Sequence, residues 1–267
     1  MRVGFLQFEP RAGQAVFNLR TAARVIGDEK FDLLVMPELC NTGYLLGSRQ
    51  RALELAEPIP GGASFSALVN IAAARNAHLV AGLAERDGDR VYNTAVLVGP
   101  QGLVQRHRKV HLTRYEDEIF DRGDRFDVAD VRGDKIGIAI SFELWMPEAC
   151  RQLARRGADI LACPANSGGS WSFDLAPVRA FENVVFVVMA NRIGVEERDG
   201  VSATFRGGSQ IVECEGEVIY QAGKEECIAT AELDPVRARV KSNLFCADLE
   251  RELAMYKVSA RGTASNA

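Results

Sequence analysis

The sequence predicts a single α/β domain in which helices cover the faces of mixed sheets. Three observations carry this. Short apolar segments of strand length alternate with helical patterns through the first half and again between residues 135 and 190. Hairpin signals interrupt that alternation and rule out a purely parallel sheet. No linker, low-complexity run or tandem repeat divides the chain, so one domain is read over residues 1–258.

The elements follow in order. Residues 3–8 read as a buried strand. Asn18 is placed to cap a helix running to about residue 29, with Leu19, Ala22, Ala23 and Ile26 on one face. Residues 32–36 form a second strand, closed by Pro37-Glu38. A second helix spans 64–76, with Leu68, Ile71 and Ala72 inward. Residues 78–84 and 91–98 are strands joined across Arg86-Asp87-Gly88-Asp89, and a further hairpin turns through Pro100-Gln101-Gly102. Residues 135–140 are a short apolar strand leading into a helix over 147–156. That helix sets Ala149, Cys150, Leu153 and Ala154 opposite Arg151, Gln152, Arg155 and Arg156, and Gly157 ends it. A strand over 159–163, a helix over 173–183 and a buried strand over 184–190 come next. Residues 207–223 form a hairpin turning at Glu215-Gly216. Residues 226–233 are the last strand, and a helix begins near Pro235. Residues 259–267 are small and polar and read as a flexible tail.

Composition narrows the function class. The chain is 47% hydrophobic and 25% charged, ordinary for a soluble globular protein and ample for a deep core. Its net charge of −4 lacks the basic footprint of a nucleic-acid binder; the run Arg106-His107-Arg108-Lys109 reads as a solvated or active-site edge. The longest apolar stretch, 184–190, is far short of the roughly 20 residues that span a membrane. The chain opens directly on a strand, with no signal peptide expected. Six cysteines, at 40, 150, 163, 214, 227 and 246, are scattered without CxxC pairing. They read as free thiols of a reducing compartment, which points to the cytoplasm.

Three segments at strand ends stand out: Met36-Pro37-Glu38-Leu39-Cys40-Asn41-Thr42-Gly43-Tyr44, Arg108-Lys109-Val110-His111-Leu112 continuing to Glu116, and Ile140-Ser141-Phe142-Glu143-Leu144-Trp145. Singly, each has a plain reading. Glu38 is a solvated carboxylate in a turn, Lys109 one more surface cation, and Ser141 a small residue filling a turn or capping the next helix. His107 and His111 share a strand face with Lys109, but a metal wants three or four ligands and no neighbouring cation, so no metal is expected. Gly168-Gly169-Ser170 lacks the lysine of a phosphate loop and reads as a turn. Trp145 and Trp171 read as core or interface residues that shape specificity if near a site. Tyr44 is a loop aromatic or part of a pocket mouth, and Asn166 follows a strand where it can line a pocket.

Together, in this order and spacing, the segments resemble the nitrilase superfamily, the carbon–nitrogen hydrolases, over nearly the whole chain. Pro37-Glu38 matches the motif of that family's general base. Arg108-Lys109-Val110-His111-Leu112 matches the motif of its catalytic lysine, and Glu116 falls where many members have a second glutamate. Arg179-Ala180-Phe181-Glu182-Asn183, Ala190-Asn191-Arg192 and Phe205-Arg206-Gly207-Gly208-Ser209 also look like family signatures. The resemblance implies a four-layer α-β-β-α sandwich of the nitrilase type, with the pocket at one end of its two sheets. It implies no cofactor, a small-molecule amide substrate and a homodimer or higher homo-oligomer; nucleic acid and membrane are not expected as partners. The interface expected is the pair of helices over 147–156 and 173–183.

The departure is at Ser141, where the family pattern has its nucleophilic cysteine. None of the six cysteines sits in that context. The pattern assigns Glu38 as base, Lys109 and the backbone N–H of Phe142 as oxyanion donors, and Glu116 as the group orienting Lys109 or the substrate amide. Tyr44, Glu143, Trp145 and Asn166 are expected around the substrate. A carboxylate is a poor base for a hydroxyl, and the surroundings of Ser141 are neither a GxSxG elbow nor a serine triad. Ser141 therefore reads as an inactivating replacement of cysteine. A non-catalytic ligand-binding relative is the alternative, and nitrile hydrolysis is the alternative within the family. Phe142-Glu143 is nearer the aromatic-acidic pair of amidase branches than the tryptophan-glutamate of true nitrilases.

Overall fold

The computed structural model describes residues 1–242, 248, 249, 251 and 254. Cys246, the end of the domain expected to reach residue 258, and the tail 259–267 lie outside the described residues.

Two six-stranded sheets are stacked face to face. The first contains β1 (Arg2–Gln7), β2 (Leu33–Val35), β3 (His78–Asp87), β4 (Arg90–Gly99), β5 (Gly102–Arg108) and β14 (Cys227–Glu232), in the order β14-β1-β2-β3-β4-β5. The second contains β6 (Val128–Val131), β7 (Asp134–Ile138), β8 (Ile160–Ala165), β9 (Phe186–Asn191), β12 (Gln210–Val212) and β13 (Val218–Gln221), in the order β13-β12-β9-β8-β7-β6. A separate hairpin joins β10 (Ile193–Arg198) to β11 (Val201–Arg206).

Each sheet has a parallel centre, β1-β2-β3 and β7-β8-β9, with antiparallel strands outside it. Parallel neighbours need crossovers, and helices supply them. α1 (Ala15–Ile26) links β1 to β2. α2 (Arg49–Leu55) and α3 (Ala63–Arg75) link β2 to β3. In the second half, α5 (Pro147–Arg155) links β7 to β8 and α6 (Trp171–Asn183) links β8 to β9; the single turns α4 (Arg114–Asp117) and α7 (Val236–Arg239) complete the set.

The layering follows from side-chain alternation. Val3, Phe5, Leu33, Val35 and Val80 of one sheet meet Ile136, Ile138, Ile160, Ala162, Phe186 and Val188 of the other. Their neighbours in sequence point outward. Leu6, Leu34, Leu79 and Ala81 are covered by Leu19, Ala22, Ile26, Phe65, Leu68 and Ala72 of α1 and α3. Ala139, Leu161, Cys163 and Val187 are covered by Ala149, Cys150, Leu153, Ala176 and Ala180 of α5 and α6. The result is the four-layer α-β-β-α sandwich. No helix among the described residues is long and apolar enough to cross a membrane.

The two sheets present the carboxyl ends of their parallel strands at the same edge. Gln7, ending β1, accepts from the Ser209 backbone N–H at 3.1 Å, and Ser209 Oγ accepts from the Asn191 N–H, ending β9, at 2.9 Å. The Ile193 N–H donates to the Phe8 carbonyl at 3.2 Å. Glu38 follows β2, Ser141 follows β7 and Asn166 follows β8.

Three sequence expectations change. Asn18 is not a cap: α1 starts at Ala15, and the buried Asn18 amide ties Arg11 and Asn41 backbone together instead. Ala23 is exposed and Thr21 takes the inward place. The helix near Pro235 is one turn only.

Candidate active site

Glu38 stands in the loop that leaves β2. Backbone bonds from Met36 to Val80, Gly82 to Pro37 and Cys40 to Gly82 hold that loop against β3. A Cβ on Gly82 would collide with the Glu38 backbone, so glycine is what lets the two strands approach here. Lys109 follows β5, fixed by its N–H on the Asn93 carbonyl and by the Gly123 N–H on its own carbonyl, each 2.8 Å. Glu116 comes from α4, where Thr113 and Glu116 form a reciprocal capping box.

These three converge. Lys109 Nζ donates to Glu38 Oε1 at 2.6 Å and to Glu116 Oε1 at 2.7 Å. A fourth member escaped the sequence reading. Asn93, on β4, donates from one amide nitrogen to Glu38 Oε1 at 2.6 Å and to Glu116 Oε1 at 2.8 Å. An amide in the apolar strand 91–98 was the available signal, because a buried polar side chain needs a partner. All four side chains are buried.

Burial sets the electrostatics. Loss of water pushes the Glu38 carboxyl up to about 7, against the pull of Lys109 and with the push of Glu116. Burial alone would favour neutral Lys109, but Glu116 and Glu38 outweigh it and keep the ammonium charged. Burial likewise raises Glu116, and Lys109 with the Thr113 bonds more than reverses this, holding it below the usual carboxylate range. The two carboxyls thus split into an ionised partner for the lysine and a group that titrates near neutrality. Glu38 Oε2 is buried and has no hydrogen-bond partner.

Ser141 opens a 3-10 turn, Ser141–Trp145, at the end of β7, with a left-handed φ of 46°. Its Oγ accepts the Asn166 N–H at 3.4 Å. The turn is pinned from behind by Arg179, which donates to the Leu144 carbonyl at 2.8 Å and the Trp145 carbonyl at 3.3 Å. The described cysteines are free thiols. Burial pushes Cys40 and Cys150 up to about 12 and drives Cys163 upward as well. None of the three is an activated thiolate.

The expected surrounding residues divide. Tyr44 belongs with the cluster: its hydroxyl meets Thr113 Oγ1 at 3.2 Å, and burial followed by the Glu116 charge raises its pKa. The Tyr44 and Leu45 N–H groups are held by Glu196, whose other partner is the buried Arg192. Asn166 presents a buried amide with both polar atoms unpaired. Phe142 is half-buried with its ring 6.1 Å from that of Trp145, and the Trp145 indole N–H donates to Ser172 Oγ at 3.2 Å.

Glu143 departs from its expected place beside the substrate. It is fully buried and both oxygens are taken by protein donors, so it has no capacity left for a ligand. His107 is one of those donors, at 2.8 Å, and its ring and that of His111 lie 5.1 and 5.9 Å from Phe126.

A family model described as carbon-nitrogen hydrolase matches residues 2–241. The chain is 37% identical over 246 residues to a protein named nitrilase from Pyrococcus abyssi, covering 90% of this chain and 92% of that one. It is 34% identical over 241 residues to an (R)-stereoselective amidase from Pseudomonas, covering 88% and 85%. Among solved structures, a cysteine-to-serine mutant of the Nesterenkonia AN1 amidase, of the nitrilase superfamily, superposes with a TM-score of 0.75 at 26% identity, covering 89% and 93%.

Proposed function

The chain belongs to the carbon–nitrogen hydrolase family, and from that premise we propose that it is an amidase site acting on a small linear amide or N-carbamoyl amine, with residue 141 in the nucleophile position. The observation that carries this is the buried Glu38–Lys109–Glu116 cluster, in which one carboxyl is held at about 7 and keeps a free oxygen.

The nucleophile at 141 attacks the amide carbonyl while Glu38 takes its proton. Lys109 Nζ and the Phe142 backbone N–H receive the developing oxyanion. As the tetrahedral adduct collapses, the C–N bond breaks and Glu38 returns the proton to the departing ammonia or amine. Water then attacks the acyl-enzyme, giving its proton to Glu38; the bond from the acyl carbon to residue 141 breaks, Glu38 returns the proton to that side chain, and the acid leaves. Glu116 and Asn93 hold Lys109 and Glu38 throughout. Tyr44, Trp145 and Asn166 contact the substrate; the unpaired amide of Asn166 suits a neutral polar group on it.

Serine at 141 fits this chemistry badly. A free thiol ionises near about 8.5 and a carboxyl at about 7 can share its proton, whereas a hydroxyl lies many units higher. The present chain therefore binds amides and turns them over at a small fraction of the rate of its cysteine form. The experiment is Ser141→Cys, screened for ammonia release from amides, N-carbamoyl amines and nitriles. Amide or carbamoyl turnover several orders of magnitude above the serine form is expected, and Ser141→Cys with Glu38→Gln should be inactive again. A nitrile preferred over its matching amide would reassign the substrate class. No turnover by a folded protein that still binds small amides would replace the enzyme reading with a binding role.

A further inference from the structure

The two oxygens of Glu143 serve two different segments. Oε2 accepts the Ile140 N–H at 2.7 Å and meets His107 Nε2 at 2.8 Å. Oε1 accepts the Val110 N–H at 2.7 Å and the His111 N–H at 3.4 Å. Ile140 is the residue before Ser141, and Val110 is the residue after Lys109. The side chain is completely buried, and its own backbone N–H closes the turn onto the Ile140 carbonyl at 2.9 Å. The carboxylate is thus anchored at its root in the turn that carries residue 141, and bridges at its tip to the loop that carries Lys109.

We propose that Glu143 is a positioning residue of the reaction: a single buried carboxylate fixes the nucleophile at 141 relative to Lys109. This rests on the assignment of those two positions made above. A displacement of about 1 Å between reacting groups costs on the order of a hundredfold in rate, and no other described side chain bonds the backbone beside both positions. The left-handed conformation of Ser141 sharpens the requirement. A non-glycine residue persists there only when its surroundings hold it, and beside the Asn166 N–H on its own Oγ the bond from the preceding Ile140 N–H to Glu143 supplies that hold.

His107 completes the device. It lies on β5, so the strand leading to Lys109 grips the same oxygen that holds Ile140. Burial raises the Glu143 carboxyl, and His107 with the Ile140 and Val110 N–H groups outweighs that and keeps it ionised, with both oxygens available as acceptors.

Glutamine cannot reproduce this. Its amide has one acceptor oxygen and one donor nitrogen, so whichever way it turns, a donor faces either the Ile140 or the Val110 N–H. The test uses Ser141→Cys as parent and adds Glu143→Gln, His107→Leu or His107→Gln. Three quantities are read on folded protein: kcat and KM for the best amide, the rate of alkylation of the introduced thiol by acrylamide at pH 7, and the thermal midpoint. Glu143→Gln should lower kcat on the order of a hundredfold with KM within about threefold, and should slow alkylation as well. His107→Leu should fall in the same direction, and His107→Gln, which keeps a donor, should recover most of the loss.

A lower thermal midpoint with kcat and alkylation unchanged would make Glu143 only a structural residue and overturn the proposal. So would a loss confined to KM. If Glu143→Gln does not fold, the contrast between His107→Leu and His107→Gln decides, and equal activity in those two overturns it. Failure of the parent to hydrolyse any amide defeats the proposed function; the alkylation ratios judge the positioning role without a substrate.

Discussion

Glu38 is the proposed base, and its burial has consequences in both activity and stability. In the Ser141→Cys protein the base must be ionised, so kcat/KM should rise through about pH 7 and level off above it. Asn93 donates to Glu38 and helps lower its pKa. Asn93→Leu should therefore move that midpoint upward, and an unmoved pH profile would remove Asn93 from the site. The stability effect has the opposite sign to that of an ordinary salt-bridged carboxylate. The Glu38 pKa is raised from its ordinary 4.5 to about 7, so between those values the folded chain holds a proton that the unfolded chain has released. Glu38 therefore makes the protein less stable as pH climbs through that window. Glu38→Gln should stabilise the protein more at pH 8 than at pH 4, measured by thermal midpoints at the two pH values. An equal effect at both would mean that Glu38 titrates normally.

At the scale of elements, what was legible in the sequence depended on whether an element buries an apolar face. The strands of the sandwich core and the outer helices α1, α3, α5 and α6 were readable because alternation or a helical stripe is forced on them. The hairpin β10–β11 was not: its inward positions are largely polar, and only Phe205 and Glu196 are buried. Its Asp199-Gly200 turn signal was present, but Glu196, Glu197 and Arg198 precede it and only Val201 flanks it as an apolar residue. β6 and the 3-10 turn at 141 are too short to show a period. Of the buried cluster, Glu38, Lys109 and Glu116 were expected from spacing against a known pattern and meet through Lys109, whereas Asn93 and the buried bonds of Glu143 depend on which side chains meet in space. The hairpin has its own prediction. Arg192 is fully buried and its guanidinium pairs with Glu196 while lying 4.3 Å over the Phe205 ring. Glu196→Ala would leave that charge uncompensated and also free the Tyr44 and Leu45 N–H groups. A loss of about 3–5 kcal/mol in denaturant unfolding is expected; a loss below about 1 kcal/mol, the range of an exposed pair, would mean that the ion pair is solvated.

At the scale of the whole molecule, the remaining question is what covers the outer helices of the second sheet. α6 turns Ala176 and Ala180 inward but leaves Trp171 65% and Val178 48% exposed, and Trp145, in the adjoining turn, is 36% exposed. Large apolar side chains grouped on one face of a helix suit an interface better than solvent. We propose a homodimer, or a larger assembly built on it, in which α5 and α6 pack against the same helices of a second copy across a twofold axis. The same helix holds Arg179, which grips the Leu144 and Trp145 carbonyls behind Ser141. Dimerisation would then support the nucleophile turn from outside. Light scattering at micromolar concentration should return at least twice the chain mass, and Val178→Glu, placing a charge at the centre of that face, should lower it with the fold intact by circular dichroism. In the Ser141→Cys background the monomer should be the less active form. A parent that scatters as a monomer at micromolar concentration would refute the dimer. A Val178→Glu protein that remains dimeric would move the interface to another face of the sandwich.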